Sequence, residues 1–129
     1  MSKIERFEDI VAWQRARELT REVYGCSKVG AFAKDFGLKD QIQRAAVSTM
    51  GNIAEGFDRG GDKEFIQFLS TSKGSCGEVR SHLYVSLDQQ YITPVQFDQL
   101  YGKADEVGKL LSGFMTYLQN SQFHGRKYK

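Results

Sequence analysis

A chain of 129 residues, 40% hydrophobic and 26% charged, has room for one domain and buries enough surface at this length to fold without a disulfide or a metal. Eighteen Lys and Arg against sixteen Asp and Glu leave a net charge of +2, too balanced to mark a uniformly basic nucleic-acid binder. No stretch approaches the ~18 uninterrupted apolar residues of a membrane span, and the opening Met1-Ser2-Lys3-Ile4-Glu5-Arg6 lacks the apolar run of a secretory signal. The two cysteines, Cys26 and Cys76, supply neither a disulfide framework nor metal-ligand spacing, so a reducing, cytoplasmic location without a cofactor is expected. Three of the basic groups, Arg126, Lys127 and Lys129, fall in the last six residues with no acid among them. Without that stretch, fifteen basic groups face sixteen acidic ones. The division expected is therefore a near-neutral domain over residues 1–123 and a basic tail over 124–129.

Helical periodicity runs through four segments, and strand-like alternation is hard to find. The first covers residues 8–28, where Ala12, Trp13, Ala16, Leu19, Val23 and Cys26 recur about once per turn. Gly30 and Asp35 to Gly37 predict a loop. A second helix over 38–58 places Leu38, Ile42, Ala45, Ala46, Thr49 and Ile53 on one face, and Asp58-Arg59-Gly60-Gly61 ends it. Asp62 is the expected cap of a third helix over 62–90, with a stripe of Phe65, Phe68, Leu69, Ser72, Cys76, Val79, Leu83 and Leu87. Thr93-Pro94-Val95-Gln96 then combines a capping Thr, a proline at the first helical position and a Gln at the third, the pattern of a capping box. Phe97, Leu100, Ala104, Val107, Leu111, Phe114 and Leu118 follow at 3-4 spacing, a seam for close helix packing. Long helices joined by short loops pack as an all-α, antiparallel up-down-up-down four-helix bundle.

Two features point past a lone bundle. Tyr101, Leu110, Met115 and Tyr117 lie off the seam of the fourth helix, which fits either a wide core stripe or an interface between copies. Gly51, Gly56, Gly74, Gly77, Gly102, Gly108 and Gly113 stand inside helices, each costing up to ~1 kcal/mol relative to Ala. Close approach of a neighbouring helix would compensate.

Several of these segments carry a family likeness. Phe7-Glu8-Asp9-Ile10 with Trp13-Gln14 and Ala16 forms an opening motif. Gln41-Ile42-Gln43-Arg44-Ala45-Ala46-Val47-Ser48 and Asn52-Ile53-Ala54-Glu55-Gly56 form the most diagnostic stretch. Glu64-Phe65-Ile66-Gln67-Phe68-Leu69 with Gly74-Ser75 and Glu78, and Glu106-Val107-Gly108-Lys109-Leu110-Leu111, complete the pattern. Together they resemble the four-helix-bundle proteins encoded in 23S ribosomal RNA intervening sequences, a family related to the accessory variability determinant of diversity-generating retroelements. The family commonly carries a second basic residue where Gln43 stands and a proline-containing step at Met50-Gly51. The resemblance implies a protomer of a ring-like homo-oligomer, typically a pentamer, whose retroelement relatives bind nucleic acid and a protein partner, a reverse transcriptase.

Read on their own, Arg44, Ser48, Asn52 and Glu55 lie along one side of the second helix, and Glu64, Thr71, Ser75, Glu78 and His82 form a row on the third. Two such rows fit a structural polar network that fixes register between helices, or a surface that contacts a ligand. The candidates for phosphate contact are Arg44, Lys73 and Arg80, gathered only if an oligomer repeats them, and the tail residues Arg126, Lys127 and Lys129 beside a stacking Tyr128. Arg15, Arg17 and Arg21 are interleaved with Glu18 and Glu22 and read as an ion-paired face. No enzyme is expected. Neither His82 nor His124 completes a Glu-x-x-His pair, Lys73-Gly74-Ser75 lacks the rest of a phosphate loop, and Cys76 has no adjacent base. The expectation is a nucleic-acid-binding accessory bundle, with a structural or protein-protein adaptor without nucleic acid as the alternative.

Overall fold

The computed structural model describes residues 4–120, all of it helix, turn and loop with no strand. A 3-10 turn at Phe7–Asp9 precedes α1 (Val11–Ser27), α2 (Gly30–Lys34), α3 (Phe36–Arg59), α4 (Asp62–Asp88) and α5 (Pro94–Asn120). The four long helices pack in cyclic order α1, α3, α4, α5, each against two neighbours. Side-chain pairings fix the directions: Ser48 meets Ser75 and Arg59 meets Glu64 between α3 and α4. Likewise Tyr84 meets Phe97 while Phe65 meets Phe114 between α4 and α5. Residue numbers rise on one helix as they fall on its partner, so neighbours are antiparallel. The bundle is up-down-up-down.

Sequence and structure part at four helix ends. The first helix does not begin at residue 8. The Asp9 carboxylate instead accepts the Glu5 and Arg6 amides at 3.0 and 3.2 Å, and Ile10 turns extended at ψ 121° before α1 starts. That break lets Ile10 bury, at 2% exposure, as the lid of one end of the core. The predicted loop over Gly30 and 35–37 is largely helical. Gly30 takes φ +62°, α2 follows for five residues, and Asp35 caps α3 by accepting the Leu38 amide at 3.1 Å. A five-residue helix carries too little periodicity to be seen as such. Asp62 is not the cap of α4 but its first residue, with Gly61 at the cap position, where an acid still complements the helix dipole. The third helix stops at Asp88, not 90, because Gln90 turns left-handed at φ 63° and Tyr91 N–H closes back on the Ser86 carbonyl at 2.9 Å.

The start of α5 follows its sequence signature. Gln96 N–H donates to Thr93 Oγ1 at 3.1 Å and Thr93 N–H to Gln96 Oε1 at 2.8 Å, closing the capping box. Its seam is buried at Leu100, Ala104, Val107, Leu111 and Leu118. The core beneath unites Ala16, Leu19 and Val23 of α1 with Ile42, Ala46 and Ile53 of α3, and with Phe65, Leu69, Val79 and Leu83 of α4, all fully buried. One interior glycine has an intramolecular cause: a Cβ on Gly56 would lie 2.6 Å from Phe68 Cβ and 2.9 Å from Phe65 Cδ1. At Gly51, Gly74, Gly102, Gly108 and Gly113 nothing stands within 4 Å.

Candidate interaction surfaces

The α3–α4 contact is stitched by short side chains. Asn52 Nδ2 donates to the Ser48 carbonyl at 2.8 Å and to Ser48 Oγ at 2.9 Å. The Ser48 hydroxyl proton is then free to point at Ser75 Oγ, 2.9 Å away across the interface. One turn deeper, the fully buried Ser72 hydroxyl donates to the Thr49 carbonyl, and the Thr49 hydroxyl to the Ala45 carbonyl at 2.8 Å. Of these, the Ser48–Ser75 and Ser72–Thr49 bonds cross between the helices; each contributes about 1 kcal/mol net and would cost more if left half-made, so the pair of helices is held in one register.

The charged members of the two rows go elsewhere. Arg44 Nε pairs with Asp40 of its own helix at 2.8 Å, with both side chains exposed, and makes no bond to an α4 carboxylate. The arginine that bridges the helices is Arg59. It holds Glu55 at 3.0 Å and Glu64 at 3.2 Å while its guanidinium sits 5.3 Å from the Phe68 ring. The bond to Glu55 pushes the Arg59 guanidinium still further up from its ordinary value. Half-exposed pairs of this kind add little stability; their use is orientation. Thr71 bonds the Gln67 carbonyl within α4. Glu78 and His82 line a shallow hollow of about 330 Å³ with Gln41, Arg44, Ser48 and Ser75.

A different cluster lies on the α4–α5 face. Tyr84, Phe97 and Tyr101 meet in a triangle with ring centroids 4.9, 5.7 and 5.4 Å apart, and Tyr84 stays 51% exposed. The Tyr101 phenol beside it pushes the Tyr84 phenol up from its usual range. One turn before Tyr84, the Arg80 guanidinium stands 6.0 Å from the Tyr101 ring, with Nε buried and no acceptor. Lys73, two turns before Arg80, is exposed. Arg44, on α3, stands beside Ser75 and Glu78 of α4, while Arg80 faces Tyr101 of α5. One chain does not bring Arg44, Lys73 and Arg80 together, and Arg126, Lys127 and Lys129 lie outside the described residues.

A third surface is apolar. Ile4, Ile10, Val11 and Ala12 face Leu110, Phe114 and Tyr117 across a cleft of about 210 Å³. Of the four side chains off the α5 seam, Tyr101, Leu110 and Met115 are half-buried against the core by this chain itself; Tyr117 stays 40% exposed, as Val11 does at 48%. Burial pushes the thiols of Cys26 and Cys76 up to about 11. Cys76 donates to the Ala104 carbonyl at 3.0 Å, the behaviour of a small packed side chain. Among the described residues no His, Cys, Asp and Glu cluster could hold a metal ion, and no helix is long and apolar enough to cross a membrane.

The family model of the 23S rRNA-intervening sequence proteins matches residues 8–113, from the first turn well into α5. The chain belongs to that family. A solved structure from Bacteroides thetaiotaomicron, described as a protein of unknown function from the S23 ribosomal protein family, superposes with a TM-score of 0.75. It is 22% identical, and the match covers 82% of this chain and 99% of that one; at this identity the likeness concerns the fold. No curated protein sequence matches.

Neither Tyr84 nor Arg59 stands among the residues singled out from sequence. A signal for Tyr84 exists: it follows Arg80 by one turn, and Phe97 and Tyr101 are one turn apart on the next helix. Only the antiparallel register brings the two pairs into contact.

Proposed function

We propose that this member of the 23S rRNA-intervening sequence family is a non-enzymatic, homo-oligomeric helical bundle that serves in the cytoplasm as a nucleic-acid-binding accessory factor. A pentamer is the assembly its family resemblance implies. The observation that carries the reading is the cleft between the N-terminal segment and α5. Its lining is almost wholly apolar, and Val11 and Tyr117 remain open at its rim. Apolar, aromatic-rimmed surface of this sort suits contact with a second copy. The absence of chemistry is supported by how the polar side chains are used, since the Ser48 and Ser75 hydroxyls bond each other instead of a base. Nucleic acid is supported by the resemblance to retroelement relatives that bind it and by Lys73 and Arg80, which form no ion pair among the described residues.

Assembly is tested by sedimentation at micromolar concentration. The expected species is near 74 kDa, five times the 14.7 kDa chain, and Tyr117→Asp should lower it. A wild-type mass of one chain refutes the oligomer. One observation favours the adaptor reading: Arg15, Arg44, Arg59, Lys103 and Lys109 are all ion-paired within the chain. Titration of structured RNA, single strands and duplex at falling salt separates the two readings, because phosphate-driven binding must strengthen as salt is removed. Failure to bind any of the three at low salt leaves the adaptor.

A further inference from the structure

We infer that the α4–α5 face is a stacking platform for unpaired nucleotides, with Tyr84 receiving a base and Arg80, backed by Lys73, receiving the adjoining phosphates. The inference rests on the nucleic-acid reading above and deepens it by naming the site and the form of the ligand. Three observations converge on this face. Tyr84 presents a ring half open to solvent, yet Phe97 and Tyr101 brace it from behind at 4.9 and 5.7 Å, so a base landing on it meets a held surface. The Arg80 side chain is fixed over Tyr101, and its buried Nε has no acceptor. Its guanidinium forms no ion pair among the described residues, and phosphate oxygens suit the fork of its terminal N–H groups. Finally, Gly74 and Gly77 stand beside Lys73 and Arg80 on α4, and nothing closer than the Arg80 guanidinium at 3.5 Å meets either position. A sugar-phosphate backbone has room to approach.

The charge around the cluster decides which part of a nucleic acid it takes. Asp98 follows Phe97 directly, Asp88 lies one turn past Tyr84, and Asp105, beyond Tyr101, is held by Lys109 at 3.2 Å. Two cations against these carboxylates cannot hold a duplex by its phosphates alone. Stacking must supply the affinity, and stacking needs bases released from pairing. The salt dependence is then shallow: two phosphate contacts on a single strand give a slope near about −1.4 in log K against log salt.

The experiment is fluorescence anisotropy of the full chain with labelled probes of about 12 nucleotides, long enough for one single-strand site: single-stranded RNA, single-stranded DNA, an abasic strand with the same phosphates, and a blunt duplex. The single strands should bind tighter than the abasic strand and the duplex. Tyr84→Ala should weaken single-strand binding roughly 5- to 150-fold, the range of one stacked base. Tyr84→Trp should retain it, and Arg80→Gln should flatten the salt slope. Tyr84 is half exposed, so its Ala variant keeps the fold, and circular dichroism checks this. Wild-type binding that Tyr84→Ala and Arg80→Gln leave unchanged overturns the platform while sparing the nucleic-acid reading. Equal binding of the abasic strand does the same. If Tyr84→Ala lowers the assembled mass without altering affinity, the face is a contact between copies, and the platform is likewise overturned. No binding by the wild-type chain removes both readings. A preference between the RNA and DNA single strands identifies the source of the nucleotides.

Discussion

Adding one methyl group at Gly56 tests how α3 and α4 are locked. In an ordinary helix interior, Gly→Ala stabilises by up to about 1 kcal/mol, through lost backbone freedom in the unfolded chain and better helix propensity. At Gly56 the new Cβ would come to 2.6 Å from Phe68 Cβ, an atom that cannot move without its backbone, and to 2.9 Å from Phe65 Cδ1. Phe65 is fully buried and is wedged edge-on between Phe57 and Phe114, at centroid distances of 6.0 and 5.4 Å. Neither clash is relieved by a simple rotation of one side chain. The helices must separate by roughly 1 Å at this level, and overpacking of that kind costs about 1–3 kcal/mol. The net expectation for Gly56→Ala is a loss of roughly 1–2 kcal/mol, a fall of several degrees in Tm for a chain of this size. Gly51, more than a turn earlier on the same helix, meets nothing within 4 Å. Gly51→Ala should therefore move the urea midpoint the other way, at the same protein concentration because assembly couples to stability. A Gly56→Ala midpoint equal to or above that of the parent would refute the close-packing argument.

Asp35→Ala removes both the α3 cap and the acceptor of the Tyr91 hydroxyl at 2.9 Å, and should cost about 1–2 kcal/mol in urea denaturation. The same bond holds the Tyr91 phenol above its ordinary value. Its share of stability is thus present below the unfolded phenol's titration near about pH 10 and is lost as pH climbs through the raised folded value; a pH series of melts should show this loss, and Tyr91→Phe should abolish that component. With thiols pushed up to about 11, Cys26 and Cys76 should react with iodoacetamide at about pH 8 about a hundredfold more slowly than an ordinary cysteine, and normally in denaturant, read by mass spectrometry. Arg80→Met should leave stability within about 1 kcal/mol of the parent or raise it, because an incompletely paired guanidinium is replaced by an apolar stem. A loss of several kcal/mol would mean that Arg80 is a structural strut.

What could be read from the sequence depended on whether a signal was local. The capping box at Thr93 and Gln96 needs four consecutive residues, and it formed as written. So did the α5 seam and the glycine pair that ends α3, whose Gly60 sits at φ 122°. The short polar row of Ser48, Asn52 and Ser75 is visible because helical period alone puts those residues on facing sides. Arg44 was assigned to that row by the same period, but a long exposed side chain chooses among acceptors. Asp40, one turn away on its own helix, takes it at 2.8 Å. Arg59 stands at the last position of α3, where the two-glycine turn folds Glu64 back onto it; no periodicity could place that contact. The break at Ile10 depended on a tertiary gain, burial of one isoleucine, that outweighed the helical pattern around it.

The same distinction explains why charge alone says little about what this surface binds. Where Arg and Lys have an acid three or four residues away, as with Arg15 and Glu18 or Lys109 and Asp105, the pair closes locally and cancels. Arg80 has no acid at that spacing: Cys76 and Gly77 precede it by one turn, and Leu83 and Tyr84 follow. Packing of α5 then brings it an aromatic ring in place of a carboxylate. A cation–π contact offsets part of the cost of desolvating a guanidinium, about 1–2 kcal/mol at best, and supplies no lone pair for its N–H groups. The pattern of residues around Arg80 thus leaves its guanidinium without a carboxylate, next to the half-exposed tyrosine of α4. A balanced count of acids and bases conceals that arrangement, because binding depends on which cations remain unanswered after the helices have paired.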